Sequence, residues 1–252
     1  MGIINLTPDS FFDGGYSLNS LETHINNMNT AHVDMIDIGA ESSRPGAKPI
    51  SFNEEINRLK QGLSTIQKKS NALISVDTYK PETALFALQQ GVEMINDISG
   101  GESSELLDHV AKHNAGIILM HKQGDTQSMQ NNPQYTEPVT EIISYLKTQI
   151  QKAKSAGIQH IMIDPGIGFG KTLKHNLAIL KNLNEFQSLG CPIVLGTSNK
   201  SFIGQLTGAE LQDRLGGSLA SILAGYQKGA TIFRVHDVIQ TKQAFDVFKA
   251  MT

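Results

Sequence analysis

Short apolar runs alternate with longer amphipathic stretches along the whole chain, and this alternation restricts the fold more than any other feature of the sequence. The runs are rich in Ile, Val, Leu and Met, which is typical of strands buried on both faces of a parallel sheet. The predicted strands are Gly2–Asn5, Met35–Ile38, Leu73–Val76, Glu93–Asn96, Gly116–Met120, Ile161–Ile163, Pro192–Leu195 and Thr231–Val235.

The stretches between these runs predict helices. Pro81 suits the first position of a helix, and Asn53 precedes two glutamates as a helix start should. Gly91 and Gly157 stand where a helix end needs a left-handed residue. The predicted helices include Asn53–Lys68, Pro81–Gln90, Ser104–His113, Pro138–Ala156, His175–Leu189, Arg214–Gln227 and Val238–Ala250.

Strands that alternate with helices predict a parallel sheet with helical crossovers, either closed into a barrel or left open and doubly wound. The even spacing and the count of eight strands favour the closed (β/α)8 TIM barrel, an α/β fold. No linker, charge block or low-complexity tract divides the 252 residues. We therefore expect one barrel domain over residues 1–252.

The composition excludes several classes of protein. Lys and Arg number 21 against 24 Asp and Glu, a net charge of −3, whereas a nucleic-acid binder usually carries a basic surplus. No apolar run approaches the roughly 18 residues of a membrane span, and no signal peptide is visible. The single cysteine fits a reducing compartment, so we expect a cytoplasmic protein without membrane or nucleic-acid partners.

Polar side chains follow every predicted strand. In a barrel the carboxyl ends of the strands meet on one face, where such enzymes place their active sites. The simpler alternative is that polar residues merely begin loops. The residues concerned include Asn5, Asp37, Asp77, Asn96, Asp97, His121, Asp164, Lys171, Ser198, Lys200, Arg234 and His236.

Closure of the barrel would put the last strand beside the first. Arg234 and His236 share one face of the last strand, so they would lie close to Asn5. A cationic pair beside an amide indicates an oxyanion or diphosphate site. The alternative is a structural ion pair between Arg234 and Asp237.

One glycine-rich segment imitates a phosphate-binding loop. In Gly166–Thr172 the Gly-Lys pair is present, but Pro165 occupies the position that needs the first glycine. We reject a nucleoside triphosphatase motif, although this loop still allows backbone to approach a ligand closely.

Eight segments, in order along nearly the whole chain, resemble those of the dihydropteroate synthase family. That family joins p-aminobenzoate to 6-hydroxymethyl-7,8-dihydropterin diphosphate with Mg²⁺, giving dihydropteroate and diphosphate. The segments are Gly2–Gly15, Asp37–Gly46, Val76–Thr78, Ile95–Gly100, Met120–Tyr135, Ile163–Lys171, Gly196–Gly204 and Arg234–Val238.

The resemblance implies roles for particular residues. A carboxylate can bind the 2-amino and N3–H edge of a pterin, and carboxylates stabilise the positive charge left on the pterin when diphosphate departs. The arylamine is then a competent nucleophile without a Ser–His or Cys–His pair. The catalytic residues would be Asp77, Asp164, Lys200, Arg234 and His236; the pterin site Asp77, Asn96, Asp164 and Lys200; the p-aminobenzoate site Phe11, Ser43, Pro45, Phe169 and Ser201; the diphosphate site Asn5, Arg44, Arg234 and His236; and the Mg²⁺ ligand Asn5.

The chain departs from the family pattern at three places. Asn199 stands where the family commonly has arginine, Ser43 replaces a threonine, and the chain begins almost on its first strand, as a trimmed or differently assigned start would. Asn199 leaves open a non-catalytic pterin-binding paralogue. A pterin-barrel methyltransferase, which has no need of a diphosphate site, is the other alternative.

A homodimer is the expected assembly. The predicted helix Arg214–Gln227 carries small residues that allow another helix to approach closely: Gly216, Gly217, Ala220 and Ala224. The resemblance implies the same, because the family dimerises through its late helices.

Phe11 and Phe169, assigned above to the p-aminobenzoate site, could also serve ordinary packing.

Overall fold

The computed structural model describes residues 1–7, 18–42, 47–125 and 128–252, in which parallel strands alternate with helices. The strands are β1 (Gly2–Asn5), β2 (Met35–Gly39), β3 (Leu73–Asp77), β4 (Met94–Asp97), β5 (Gly116–Met120), β6 (Ile161–Asp164), β7 (Val194–Leu195) and β8 (Ile232–Phe233). The α-helices are α1 (Leu18–Thr30), α2 (Phe52–Lys69), α3 (Pro81–Gln89), α4 (Ser104–Lys112), α5 (Pro138–Ser155), α6 (Leu173–Lys181), α7 (Ser201–Thr207), α8 (Leu215–Gln227) and α9 (Val238–Met251), with 3-10 turns at Leu183–Leu189 and Leu211–Asp213.

The strands form a closed barrel, as the sequence predicts. β1 to β6 pair in chain order in one parallel sheet, and β7 pairs with β8. Two isolated parallel bridges join these sheets, Ile163 with Ile193 and Gly2 with Val235. The second bridge places the end of β8 beside β1, because the Ile3 amide donates to the Val235 carbonyl at 3.0 Å.

The strands at the closing seam are shorter than predicted. The sequence indicated Pro192–Leu195 and Thr231–Val235, but β7 and β8 each contain two residues. The ladder at this seam is reduced to the single bridges at Ile193 and Val235, so the flanking residues do not continue a regular strand.

Alternate residues of each strand point into the barrel, and their polarity changes along the barrel axis. Near the amino ends of the strands the interior holds a small apolar cluster that includes Met35, Met94, Ile118 and Val194. Polar side chains, Asp37 and Asn96, lie two residues further along β2 and β4 on the same faces. The barrel is thus closed by apolar packing below and lined by polar groups above, while a second, larger apolar core packs between strands and helices.

The helix boundaries follow from local capping. Gly91 and Gly157 adopt positive φ values of 84° and 98°, as expected at helix ends. The predicted start at Asn53 is one residue late, because the Ser51 side chain accepts the Glu54 amide and caps α2, which begins at Phe52. In the described ranges, no helix is both long enough and apolar enough to cross a membrane.

The prediction of a single helix over His175–Leu189 is also wrong. The observed helix begins earlier, at Leu173, because Thr172 and His175 form a reciprocal capping box. It ends at Lys181, because the Asn182 side chain donates to the Ala178 carbonyl at 3.0 Å and Asn182 leaves helical geometry. A 3-10 turn then runs to Leu189. The helices α1 and α7 had not been specified from the sequence.

Candidate active site

A polar pocket opens at the carboxyl ends of the strands, with an empty space of about 440 Å³. Most of the described residues that we expected in the site line it. The lining side chains include Asp77, Asn96, Asp164, Phe169, Lys200, Arg234 and His236. Ile3, Ile98, Met120 and Ile167 add apolar walls, which suits a flat aromatic ligand with polar edges.

Several predicted site residues are not among the described residues that line this pocket. Phe11, Ser43, Arg44 and Pro45 fall outside the described residues. Ser201 is the exposed first residue of α7 and is not among the residues lining this pocket in the described ranges.

Asn5 occupies the interior face of β1, two residues beyond the pocket-lining Ile3. Its Oδ1 lies 3.3 Å from the place that a Cβ of Gly39 would occupy, so the glycine leaves room for this oxygen. The neighbouring strand β8 runs alongside, as the closure argument expected.

Arg234 is the centre of a buried ion-pair cluster. Its Nε donates to Asp37 Oδ2 at 2.6 Å, and its Nη2 donates to Asp77 Oδ2 at 2.9 Å. Asn96 Nδ2 donates to the same Asp37 oxygen at 3.1 Å. The sequence placed Arg234 apart from the carboxylates, facing them, but the structure puts it in direct contact with two of them. Its carboxylate partners are Asp37 and Asp77 rather than the Asp237 of our alternative.

Asp37 is the residue of this cluster that the sequence reasoning did not assign to the site. It is fully buried within β2, and its Oδ1 has no hydrogen-bond partner among the described residues. The available signal was its spacing: Met35, Asp37 and Gly39 alternate on one face of the strand, so an interior Met35 requires an interior Asp37.

Asp77 has a raised pKa. Burial raises it to about 7, Arg234 opposes the shift, and the charges of Asp37 and Glu55 add to it. A single guanidinium is shared by two carboxylates, so one negative charge in the cluster is left in excess when both are ionised. Asp77 thus changes charge near neutral pH.

Asp164 is fixed at one oxygen and open at the other. Its Oδ1 accepts the Gly166 amide at 2.7 Å. Its Oδ2 faces Gly196, where a Cβ would lie 3.8 Å away, so the missing side chain keeps space in front of the carboxylate. Burial raises the pKa of Asp164, while the Gly166 amide and the cations Lys200 and Arg234 lower it.

Lys200 and His236 also line the pocket. The ammonium of Lys200 lies 4.1 Å from the centre of the Phe169 ring, a cation–π contact. His236 Nδ1 lies 3.1 Å from Ser198 Oγ. The glycine-rich loop after β6 contributes Phe169 to the pocket lining, but its glycines Gly166 and Gly170 approach other backbone rather than the pocket.

Asn199, the departure that raised doubt about activity, has a local structural role. It adopts a φ of 59°, a left-handed conformation that asparagine tolerates better than most residues. Its Nδ2 lies 3.4 Å from Asp237 Oδ2, and its amide donates to Ser218 Oγ at 2.9 Å. Arg214 donates to its carbonyl at 3.2 Å, so a guanidinium still supports this loop.

Comparison with known proteins identifies the class of enzyme. Residues 1–236 match the family model described as pterin binding enzyme, so the chain belongs to that family. It is 41% identical over 254 residues to the dihydropteroate synthase of Escherichia coli strain K12, covering 99% of this chain and 90% of that relative.

Solved structures agree. The Thermus thermophilus dihydropteroate synthase in complex with 4-aminobenzoate superposes with a TM-score of 0.91 at 36% identity, covering 100% of this chain and 93% of that one. A complex of that synthase with 6HMPPP gives a TM-score of 0.88 at 35% identity and the same coverage. The predicted barrel fold, transferase class and dihydropteroate synthase activity in folate synthesis are confirmed.

Proposed function

We propose that the described pocket binds 6-hydroxymethyl-7,8-dihydropterin diphosphate and that its residues promote loss of diphosphate and capture by p-aminobenzoate. The observation that carries this assignment is that acidic and basic side chains line the same pocket. Carboxylates and an amide on β3, β4 and β6 line the same pocket as three basic side chains that follow β7 and β8, namely Lys200, Arg234 and His236, and Arg234 is ion-paired with Asp77. The Thermus thermophilus complexes with 4-aminobenzoate and 6HMPPP support both ligands.

Asp164 recognises the pterin. Because Oδ1 is held by the Gly166 amide and Gly196 leaves the space before Oδ2 open, the carboxylate can accept two parallel hydrogen bonds from a planar donor edge. Asn96 and Lys200 lie along the same pocket and offer further polar contacts to the ring.

The reaction breaks the C–O bond between the pterin methylene and the diphosphate, and the electron pair leaves with the diphosphate. The amine nitrogen of p-aminobenzoate forms the new C–N bond and then loses a proton to solvent or to the released diphosphate. Asp77 and Asp164 stabilise positive charge at the methylene while it exists, because they are fixed, desolvated carboxylates.

Arg234 serves two partners in this proposal. Its ion pairs hold Asp37 and Asp77 in place, and the same positive charge favours the departing diphosphate. Because two carboxylates already draw on that charge, Lys200 and His236 supply the remaining attraction, together with Arg44, which lies outside the described residues.

The residues present fit Mg²⁺ as a cofactor. Mg²⁺ prefers oxygen ligands and is usually held by few protein groups together with substrate phosphates. Asn5 Oδ1, beside Gly39, offers an oxygen of that kind, and the buried Asp37 Oδ1 without a partner among the described residues lies on the neighbouring strand. When bound, the ion would neutralise charge on the diphosphate.

Diphosphate release measured with both substrates tests the proposal. We expect release that depends on p-aminobenzoate and Mg²⁺, and that falls when EDTA removes the ion. Release at the same rate without p-aminobenzoate would show that the pocket hydrolyses the pterin diphosphate instead. No release under any condition would contradict the residue roles proposed here.

We also propose that the chain forms a homodimer through α8 and α9. An apolar groove runs between these helices, lined by Leu215, Leu219, Leu223, Ala244, Val247, Phe248 and Met251. Gly216, Ala220 and Ala224 form an exposed stripe of small residues beside it. Gly217 does not belong to this stripe, because its missing Cβ faces Ile203 of the same chain. A second copy would cover the leucines and the exposed Val247 and Met251.

Light scattering at micromolar concentration tests the dimer. The chain should show twice its monomer mass, and Leu219→Glu should reduce that mass to the monomer by placing a charge in the groove. Leu206→Glu, on the exposed face of α7, is the matched control and should remain dimeric. A monomeric mass for the unmodified chain would contradict the proposal.

The cytoplasmic location expected from the single cysteine, Cys191, stays a prediction.

A further inference from the structure

Lys171 is a buried lysine on the loop between β6 and α6, with only 3% of its surface exposed. Its ammonium lies within hydrogen-bond distance of three acceptors. These are the Phe169 carbonyl at 2.9 Å, His121 Nδ1 at 3.1 Å and the His121 carbonyl at 3.2 Å. Lys171 therefore joins its own loop to the end of β5.

All three of these acceptors are neutral. Burial, together with the charge of Lys171, lowers the pKa of His121 to about 3, so the imidazole is neutral and its Nδ1 can accept. Burial lowers the pKa of Lys171 to about 7, and Asp164 opposes the shift. Three ammonium donors then match three acceptors, but a charge buried among neutral groups is costly and contributes poorly to stability.

The loop that Lys171 holds lies unusually close to the segment after β5. A Cβ on Gly166 would lie 1.9 Å from the His121 carbonyl oxygen, and one on Gly170 would lie 2.3 Å from the Gln123 carbonyl oxygen. Tyr135 adds a second tie, because its hydroxyl donates to the Gly170 carbonyl at 3.0 Å.

Two pocket contacts depend on the position of this loop. The Gly166 amide fixes Asp164 Oδ1, and the Phe169 ring contacts the ammonium of Lys200. Lys171 binds the carbonyl of Phe169 itself and the carbonyl against which Gly166 is pressed. It thus connects to both contacts without lining the pocket.

We propose that Lys171 is a positioning residue for the pterin pocket, whose buried ammonium holds the β6–α6 loop against the end of β5 and so sets Phe169 and the Asp164 carboxylate. This inference rests on the pterin binding proposed above. It explains why a cation without an ion-pair partner among the described residues is buried at a place where an apolar side chain would serve packing alone.

The test compares Lys171→Met with the unmodified chain. Methionine keeps the length and the apolar stem but removes the donors. Calorimetric titration with the pterin diphosphate should give a dissociation constant about 10- to 50-fold higher, because two pocket groups lose their alignment. Lys171→Gln, which keeps donors without the charge, should recover part of the loss. Lys69→Met, which removes an exposed lysine paired with Glu22, is the control and should bind normally.

Urea unfolding of each variant separates positioning from stability. A folded Lys171→Met that binds the pterin diphosphate within twofold of the unmodified chain would overturn the proposal. So would failure of both Lys171 variants to fold, since the role would then be structural. If the unmodified chain itself binds no pterin, the proposed function fails rather than this inference alone.

Discussion

The half-buried Arg234, which lines the pocket, and the buried Lys171, which lies beside it, are cations in opposite surroundings. Arg234 donates to two carboxylates, Asp37 and Asp77, whereas Lys171 donates to neutral carbonyls and an imidazole. The neighbouring carboxylates outweigh the effect of burial on Arg234, whose pKa is raised, whereas Asp164 offsets only part of that effect on Lys171, whose pKa is lowered. The difference indicates two uses of a cation, one to balance charge and one to fix backbone.

We expect the largest effect on stability and activity from removing the guanidinium of Arg234. Arg234→Met leaves two buried carboxylates without their cation, so the free energy of unfolding should fall by about 3–5 kcal/mol. We expect kcat/KM to fall about 1000-fold or more, because the carboxylates repel each other and the diphosphate loses a cation. Steady-state kinetics and urea unfolding measure both effects.

Arg234→Lys is the informative companion variant. It keeps the charge but lacks the planar fork that reaches two carboxylates at once, so its activity should fall between the two. Turnover by Arg234→Met within tenfold of the unmodified chain would show that the guanidinium is structural.

The next largest effect is expected at Asp164. Asp164→Asn should weaken binding of the pterin diphosphate about 100-fold, because an amide cannot accept two hydrogen bonds from the pterin edge and carries no charge. Calorimetry measures this change.

Asp97 offers a matched control for that variant. It is buried at the end of β4, but its oxygens accept from Ser99 and from the Gly101 amide, within its own loop. Asp97→Asn should lower stability and leave pterin affinity close to normal. Equal losses of affinity in both variants would mean that any buried carboxylate at the strand ends has the same effect.

The smallest effect is a pH dependence from Asp77. Its raised pKa of about 7 means that the carboxyl is neutral below that pH and becomes a carboxylate as the pH rises through it. The ratio of kcat/KM for the unmodified chain to that for Asp77→Asn should therefore rise about tenfold between pH 6 and 8 and then level off. Taking the ratio cancels titrations that both proteins share, including those of the substrate. A flat ratio would exclude a role for the Asp77 charge.

The position of the site was largely predictable from the sequence, because alternation within strands and closure of the barrel decide which side chains meet. These rules place Asp77, Asn96, Asp164 and Arg234 at the carboxyl ends of the strands, and the resemblance to dihydropteroate synthases selects them as site residues. The helix break at Asn182 did not follow from them, because it depends on one side chain donating to the carbonyl of Ala178, four residues earlier.

The partners of the charged residues could not be predicted in the same way. Spacing places Arg234 inside the barrel but does not say that it bonds Asp37 as well as Asp77, which depends on the register of three strands. The sequence of the glycine-rich loop also does not predict that Lys171 contacts His121 or that Gly166 packs against the His121 carbonyl. Such contacts join loops that are distant in sequence and are set by packing.

Calorimetric titration of the unmodified chain with the pterin diphosphate and with the corresponding free alcohol, both in Mg²⁺, tests the central claim most directly. If carboxylates hold the pterin while Lys200, Arg234 and His236 attract the diphosphate, the diphosphate should bind at least about tenfold more tightly. Equal affinities for the two ligands would contradict the assignment of these basic side chains to the diphosphate.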